Sequence, residues 1–267
     1  MFGLSQSTYI DTLLKWFNID NFKKGYLSIG HRITLSKKDC STTLEERESM
    51  SKILYTSVVG SIIYVMIYTR SDVAYSLGVV SRYQSDPGKK HWKIAKAILK
   101  YLRNTKDQWL IYRDSNLKLM RYTDFSFQSD CDDSRSMSGY VFTFNGGAIC
   151  WKNLNQHTVV DSICEVEYIA AFDAAKEVVW LHKFIIELGV VPSIHDPILM
   201  YCDSSSAIAQ VKEPKLHHRT KHVLHYYHLV WEIMNRDDVK LQKINGKENL
   251  TDPFTKVLRI KEFDDFK

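Results

Sequence analysis

The most constraining feature of this sequence is a change of pattern near residue 117, where helical spacing gives way to strand-like alternation. The run LKLMRYTDFSF (117–127) repeats with a period of two, with Leu119, Arg121, Thr123, Phe125 and Phe127 on one side. In GYVFTFNGGAICWKNL, two strand-like runs flank Asn145-Gly146-Gly147, the composition of a tight hairpin. Residues 165–188 form a long amphipathic helix stopped by Gly189. PILMYC (197–202) reads as a short buried strand running into Asp203 and a serine run, where a helix starts. Residues 218–234 read as helix, VKLQKI (239–244) as a strand and 252–258 as the opening of a last helix. The order βββαβα(α)βα, three antiparallel strands and then a helical crossover to a parallel one, predicts a mixed sheet with helices on its faces.

The first half reads as helical. Ile10, Leu13, Leu14 and Phe17 share one face of a helix over 9–17, and 45–83 carries a long apolar pattern. In the helix over 91–103, Trp92, Ala95, Ile98, Leu99 and Leu102 form the apolar face. Lys93, Lys96, Lys100 and Arg103 make a basic stripe on another face, which either tracks a phosphate backbone or is merely solvated. The formal charge of +5 hides an asymmetry. Residues 1–115 hold 18 basic and 10 acidic side chains, whereas 116–267 hold 18 basic and 21 acidic ones. A basic half beside an acidic half suits a polyanion-binding surface next to something that needs carboxylates.

Other classes are disfavoured. The longest apolar stretch, 57–68, is too short to span a bilayer, and no signal peptide is visible at the N-terminus. The five cysteines are widely spaced with no C-x-x-C, against a zinc site or disulfide scaffold. A reducing intracellular location, cytoplasm or nucleus, is expected, with no membrane partner.

Four acids sit where this topology can bring them together. Asp124 lies inside the first strand of the sheet, Asp203 follows the buried strand and Asp252 opens the last helix, where capping is the plainer explanation. The long helix offers two more. Glu165 completes a capping box with Ser162, whereas Glu167 shares a face with Ala171, Ala174 and Val178, small residues that let a helix approach a sheet. Glu167 is therefore the preferred fourth member and Glu165 the fallback. Carboxylates clustered without cations are heavily penalised, so their convergence would imply a hard divalent metal, Mg²⁺ or Mn²⁺.

At these residues the sequence resembles a known family. The runs YTDFSFQSDCDDSRSMSGYVFTFNGGAICW, CEVEYIAAFDAAKEVVWLHKFIIELG, YCDSSSAIA, HHRTKHVLHYYH and TDPFTKVL, in this order, resemble the ribonuclease H domain of copia-type LTR retrotransposon Pol polyproteins. Upstream, GLSQSTYIDTLLKWF and the run from YTSVVGSIIYVMIYTR to KYLRNT are similar to the end of the same polyprotein's reverse transcriptase. The resemblance implies an α/β, ribonuclease H-like mixed five-stranded sheet with flanking helices over 116–260. A mainly helical reverse-transcriptase thumb/connection remnant over 1–115 would precede it. It implies endonucleolytic, metal-dependent hydrolysis of the RNA strand of RNA–DNA hybrids. Asp124, Glu167, Asp203 and Asp252 match the family's catalytic carboxylates, and two Mg²⁺ or Mn²⁺ ions would be the cofactors. The H-x-R-T-K-H element maps onto His217, Arg219, Thr220, Lys221 and His222, which the resemblance sets near the nucleic-acid backbone.

The departures matter as well. The polymerase's paired-Asp strand is absent, and the adjacent acids Glu45-Glu46 fall in a charged linker, so DNA synthesis by this chain alone is not expected. A polymerase portion from another polyprotein copy would be the partner for synthesis. Ser126 and Phe127 stand where the family often has Asp and Trp, and Ser204 stands in place of the Asn of its C-D-N. A catalytically inactive nucleic-acid-binding or degenerate fragment is the alternative function. Without a polymerase palm to cover it, the apolar 58–68 segment is expected to be exposed.

Overall fold

The computed structural model describes the chain outside 20, 21, 24, 31, 32, 114–118, 127, 157–162, 190, 192–196, 206, 207, 210–231, 234, 235, 237, 238, 259–261 and 263–267. The side chains of 163–165, 167 and 168 also lie outside the described set. The chain divides into two compact units, one of Phe2–Ile111 with Lys256–Lys267 and the other of Tyr112–Thr255. The division read from the sequence, 1–115 and 116–260, has its first boundary inside 114–118, beyond the described residues.

The first unit pairs β1 (Phe2–Leu4) with β2 (Leu110–Tyr112) and is otherwise helical: α1 (Ser7–Trp16), α2 (Leu44–Ser51), α3 (Tyr55–Tyr68), α4 (Ala74–Ser81) and α5 (Lys89–Asn104). Its core gathers Ile10, Leu13, Val58, Ile62, Val65, Leu77, Ile98, Leu99 and Leu102. Full burial of each large side chain contributes roughly 1.5–3 kcal/mol. The inner face of the 58–68 segment is thus covered from within: Val58, Val59, Ile62 and Val65 are fully buried, whereas Gly60, Tyr64, Ile67 and Tyr68 are exposed. Glu45 and Glu46 are not linker residues but the first turn of α2. There Thr43 Oγ1 accepts the Glu46 N–H and the Glu46 carboxylate accepts the Thr42 N–H, so the acids serve a helix start. Among the described residues no single helix is long and apolar enough to cross a membrane.

A buried ion pair ties the unit together. The Arg70 guanidinium holds Asp72 in two bonds, Nη2–Oδ2 2.7 Å and Nε–Oδ1 2.9 Å, and donates to Thr105 O at 3.0 Å. Tyr101 also donates its hydroxyl to Asp72 Oδ2. Burial alone would raise the Asp72 pKa, but the charge of Arg70 and the bonds from Arg70 and Tyr101 outweigh it and hold the carboxyl low.

The second unit is the expected α/β sheet. Its five strands are β3 (Leu119–Ser126), β4 (Met137–Phe144), β5 (Gly147–Asn155), β6 (Ile198–Cys202) and β7 (Val239–Lys243), in the order β5-β4-β3-β6-β7. β3, β4 and β5 pair antiparallel, while β6 pairs parallel to both β3 and β7. This is the ribonuclease H-like arrangement implied by the resemblance. Asn145 and Gly146 both take positive φ, 55° and 76°, as a two-residue type I′ turn requires. The helix α6 (Ile163–Leu188) ends at Gly189, φ 65°. Its residues Ala171, Ala174 and Val178 are fully buried, and the helix packs on β3 and β4. A short helix α7 (Asp252–Thr255) closes the unit. The helix expected over 218–234 lies almost wholly outside the described residues.

The alternation of β3 holds, but it buries a charge. Leu119, Arg121 and Thr123 face the core, and Arg121 is fully buried. None of its guanidinium nitrogens has a hydrogen-bond partner among the described residues; the group lies 5.1 Å over the Phe142 ring. Burial pushes its pKa well down, against the pull of Tyr140, Cys202 and Glu177. A desolvated cation–π contact returns about 2 kcal/mol, whereas burying an ion costs several.

Two outcomes follow for stability. Arg121→Met should raise the urea midpoint by the equivalent of about 1–4 kcal/mol, as for other buried charges replaced by apolar groups. A lower midpoint would mean that the guanidinium is a net stabiliser. Asp72→Asn leaves Arg70 buried without its counter-charge and should cost about 3–5 kcal/mol. Because the folded Asp72 pKa lies below its unfolded value, the wild-type contribution is complete above about pH 4 and is lost as pH falls through the folded value. Acid titration of the unfolding midpoint should therefore show a limb in the wild type that is flattened in the variant.

Candidate active site

The strand register assembles the acids. In the parallel pair β3–β6, Thr123 is the partner of Cys202. Asp124 and Asp203 each stand one residue further on, at the carboxyl ends of neighbouring strands. Side chains alternate along a strand, so Asp124 points away from the face that carries buried Thr123 and Cys202, and Asp203 directly follows the end of β6. Asp124 is itself only 5% exposed, whereas Asp203 is half-buried. The turn after β7 closes on this end of the sheet. Ile244 N–H donates to Cys202 O at 3.1 Å, and a Cβ on Gly246 would stand 3.3 Å from Asp203 Oδ2. Lys243 donates its ammonium to the Ser205 hydroxyl two residues beyond Asp203.

Asp252 reaches the same end of β3 through α7. On β4, Gly139 is the partner of Asp124, and a Cβ there would come within 2.9 Å of Phe254 Cβ and Thr255 Cγ2. Only glycine leaves room for the helix to lie against the strand. Thr255 then donates its hydroxyl to Asp124 Oδ2. The Asn153 amide donates to Phe254 O, and the Asn249 amide donates to Thr123 O at 3.1 Å. Asp252 is partly buried, and its N–H donates to Asn249 O at 3.3 Å.

The fourth acid is placed by backbone alone. Position 167 lies one turn before Ala171 on the stripe that continues through Ala174 and Val178, all fully buried against the sheet. The side chains of Glu167 and of its rival Glu165 lie outside the described residues, as does Ser162. Among the described residues, no three His, Cys, Asp or Glu side chains form a group that could hold a metal ion. Asp124, Asp203 and Asp252 therefore share one end of the sheet without closing a three-donor set by themselves.

The basic stripe on α5 is partly engaged within its own unit. Lys93 is exposed, but the Lys96 ammonium lies 5.4 Å over the Trp92 ring and the Lys100 ammonium lies 5.2 Å over the Phe22 ring. Arg103 donates to Phe22 O. Trp92 is half-buried and packs against the core with one side while the Lys96 ammonium lies over its ring; Ile94 and Tyr101 are fully within the core. His217, Arg219, Thr220, Lys221 and His222 fall outside the described residues.

Reading the acids alone missed Gly139, Asn249 and Thr255. A signal for Thr255 was present: it stands three residues after Asp252, on the same side of a helix turn. Nothing in the sequence marks Gly139, because its role depends on an element more than a hundred residues away.

No family model matches the chain. It is 42% identical over 261 residues to the retrovirus-related Pol polyprotein from transposon TNT 1-94 of Nicotiana tabacum, covering 98% of this chain and 19% of that polyprotein. The polyprotein from transposon RE2 of Arabidopsis thaliana is 31% identical over 79% of this chain and 14% of its own length. The chain thus spans less than a fifth of these relatives. Among solved structures, LC11-RNase H1, isolated from compost, aligns with 16% identity and a TM-score of 0.35, covering 50% of this chain and 89% of that one. The similarity to the tobacco polyprotein runs through both units, from the helical segment to the last short helix, and the chain belongs to the family of retrovirus-related Pol polyproteins from copia-type transposons.

Proposed function

We propose that the second unit hydrolyses the RNA strand of RNA–DNA hybrids endonucleolytically and in a metal-dependent way. What supports this reading is the β3–β6 register, in which Asp124 and Asp203 each follow the paired residues Thr123 and Cys202, and the Thr255–Asp124 bond, which ties the helix that Asp252 opens to β3. An all-carboxylate donor set suits hard Mg²⁺ or Mn²⁺ rather than zinc. Asp124, Asp203 and Asp252 would hold the ions, with Glu167 as the fourth donor. Two ions so held supply an activated water and stabilise the leaving oxygen of a phosphodiester. Asp124 is more enclosed than Asp203 or Asp252 and would anchor the set. Asp203 is more open and lies toward the substrate side.

Lys93, Lys96, Lys100 and Arg103 would add sequence-independent affinity for the backbone, as would His217, Arg219 and Lys221. A polymerase portion from another polyprotein copy is the protein partner that would supply synthesis, and an intracellular location fits five widely spaced cysteines with no C-x-x-C. One observation favours the alternative, a fragment that binds hybrids without cleaving them: the described carboxylates do not complete a three-donor set.

Cleavage of a labelled hybrid in Mg²⁺ should fall to background in Asp203→Asn. Equal rates in variant and wild type would remove the assignment, and binding without cleavage by the wild type at any Mg²⁺ or Mn²⁺ concentration would leave the binding-only reading. For the stripe, Lys93→Ala should weaken hybrid binding uniformly across sequences. It should also lower the slope of log affinity against log salt by about 1. An unchanged slope would take Lys93 out of the interface.

A further inference from the structure

Three fully buried polar residues surround Asp252 in the chain: Asn249, Thr251 and Thr255. Two of them reach across to consecutive residues of β3. Three residues before Asp252, the Asn249 side-chain amide donates to Thr123 O at 3.1 Å. Three residues after it, the Thr255 hydroxyl donates to the Asp124 carboxylate at Oδ2. The free end of the Asn249 amide is fixed in turn, since its Oδ1 accepts the Thr251 N–H at 3.3 Å and the Thr251 hydroxyl. Asp252 is thus held between two buried cross-links that land on adjacent strand positions. Gly139 makes the approach possible by offering no Cβ to Phe254 and Thr255.

Desolvated bonds of this kind are stringent, because a buried polar group left unmatched keeps its full desolvation penalty. Four-residue helices do not hold their own position through helix formation, which is cooperative and needs a longer run. The location of Asp252 relative to Asp124 therefore comes from the cross-links and not from α7 as a helix. Thr255 also occupies one oxygen of Asp124 and so restricts the rotation of that carboxylate.

We infer that Thr255, assisted by Asn249, is a positioning residue that sets the Asp124–Asp252 spacing and the orientation of the Asp124 carboxylate for divalent-ion binding. This rests on the metal-dependent reading above. Residues that hydrogen-bond to metal-binding carboxylates typically account for 10–100-fold in metal affinity.

The test is calorimetric titration of the full chain with Mn²⁺, without substrate, alongside hybrid-cleavage kinetics and the urea midpoint. Thr255→Val keeps the shape and removes the donor. It should weaken Mn²⁺ binding at least about tenfold and lower kcat, while the KM for hybrid stays at the wild-type value. Thr255→Ser restores a hydroxyl and should recover Mn²⁺ affinity to within about threefold of wild type, although it gives up a buried methyl. If Thr255→Val does not fold, Thr255→Ala takes its place with the same expected loss. Wild-type Mn²⁺ affinity in the valine or alanine variant would overturn the inference and leave the nuclease reading standing. Equal losses in serine and valine variants would also overturn it, because packing rather than the hydroxyl would then be responsible. Absence of Mn²⁺ binding by the wild type itself would overturn the nuclease reading and the positioning role with it.

Discussion

The parallel pairing of β3 with β6 is the contact on which the rest of the second unit depends. Strands 119–126 and 198–202 are separated by two further strands and a 26-residue helix, yet a single register, Thr123 with Cys202, aligns their carboxyl ends. A slip of one residue would turn every side chain of β6 to the opposite face. Met200 and Cys202 would leave the core, and Asp203 would no longer follow the residue that pairs with Thr123. The apolar demand of the core and the placement of the acids are therefore satisfied by the same register. Packing energy, spread over Ile198, Met200, Phe142, Ala174 and Val178, fixes a geometry that the carboxylates, repelling one another, would not adopt by themselves.

The two buried arginines show how differently the units treat charge. Arg70 is matched by Asp72, Thr105 and Tyr101, so its desolvation is offset by bonds of good geometry. Arg121 has an aromatic face and no hydrogen bond among the described residues. It occupies the central strand of the sheet, three positions before Asp124. Any relaxation that brings water to Arg121 acts on the strand that also carries buried Asp124. The cost of that charge falls on the unit to which the chemistry is assigned.

Much of the architecture was legible because it rests on local rules. The Asn145-Gly146 turn, the stop at Gly189, the alternation of β3 and the apolar run of β6 are each dictated by backbone conformation or burial over a few residues. The reading failed where long-range packing decides. Glu45-Glu46 looked like linker and became a helix start. The 58–68 segment looked exposed throughout, yet one face of it is buried within its own unit and only its outer face stays open. Trp92 fitted the apolar face by spacing but sits at its edge, where an ammonium lies over its ring. The stripe Lys96, Lys100 and Arg103 had the right period, yet its cations are engaged by Trp92 and Phe22, a contact with a residue some eighty positions away.

By itself the sequence determined the order of the five strands and the long helix, named the candidate acids and carried the family likeness. These depend on residue type and near-neighbour spacing. Only the tertiary structure decided that Asp124 and Asp203 follow paired residues of two neighbouring strands. It also decided that Gly139 opens the path for α7, and that Thr255 and Asn249 clamp Asp252 against β3. Those relations join residues about 80 to 130 positions apart. They come from close packing and from the requirement that buried polar groups find partners, which no local pattern records.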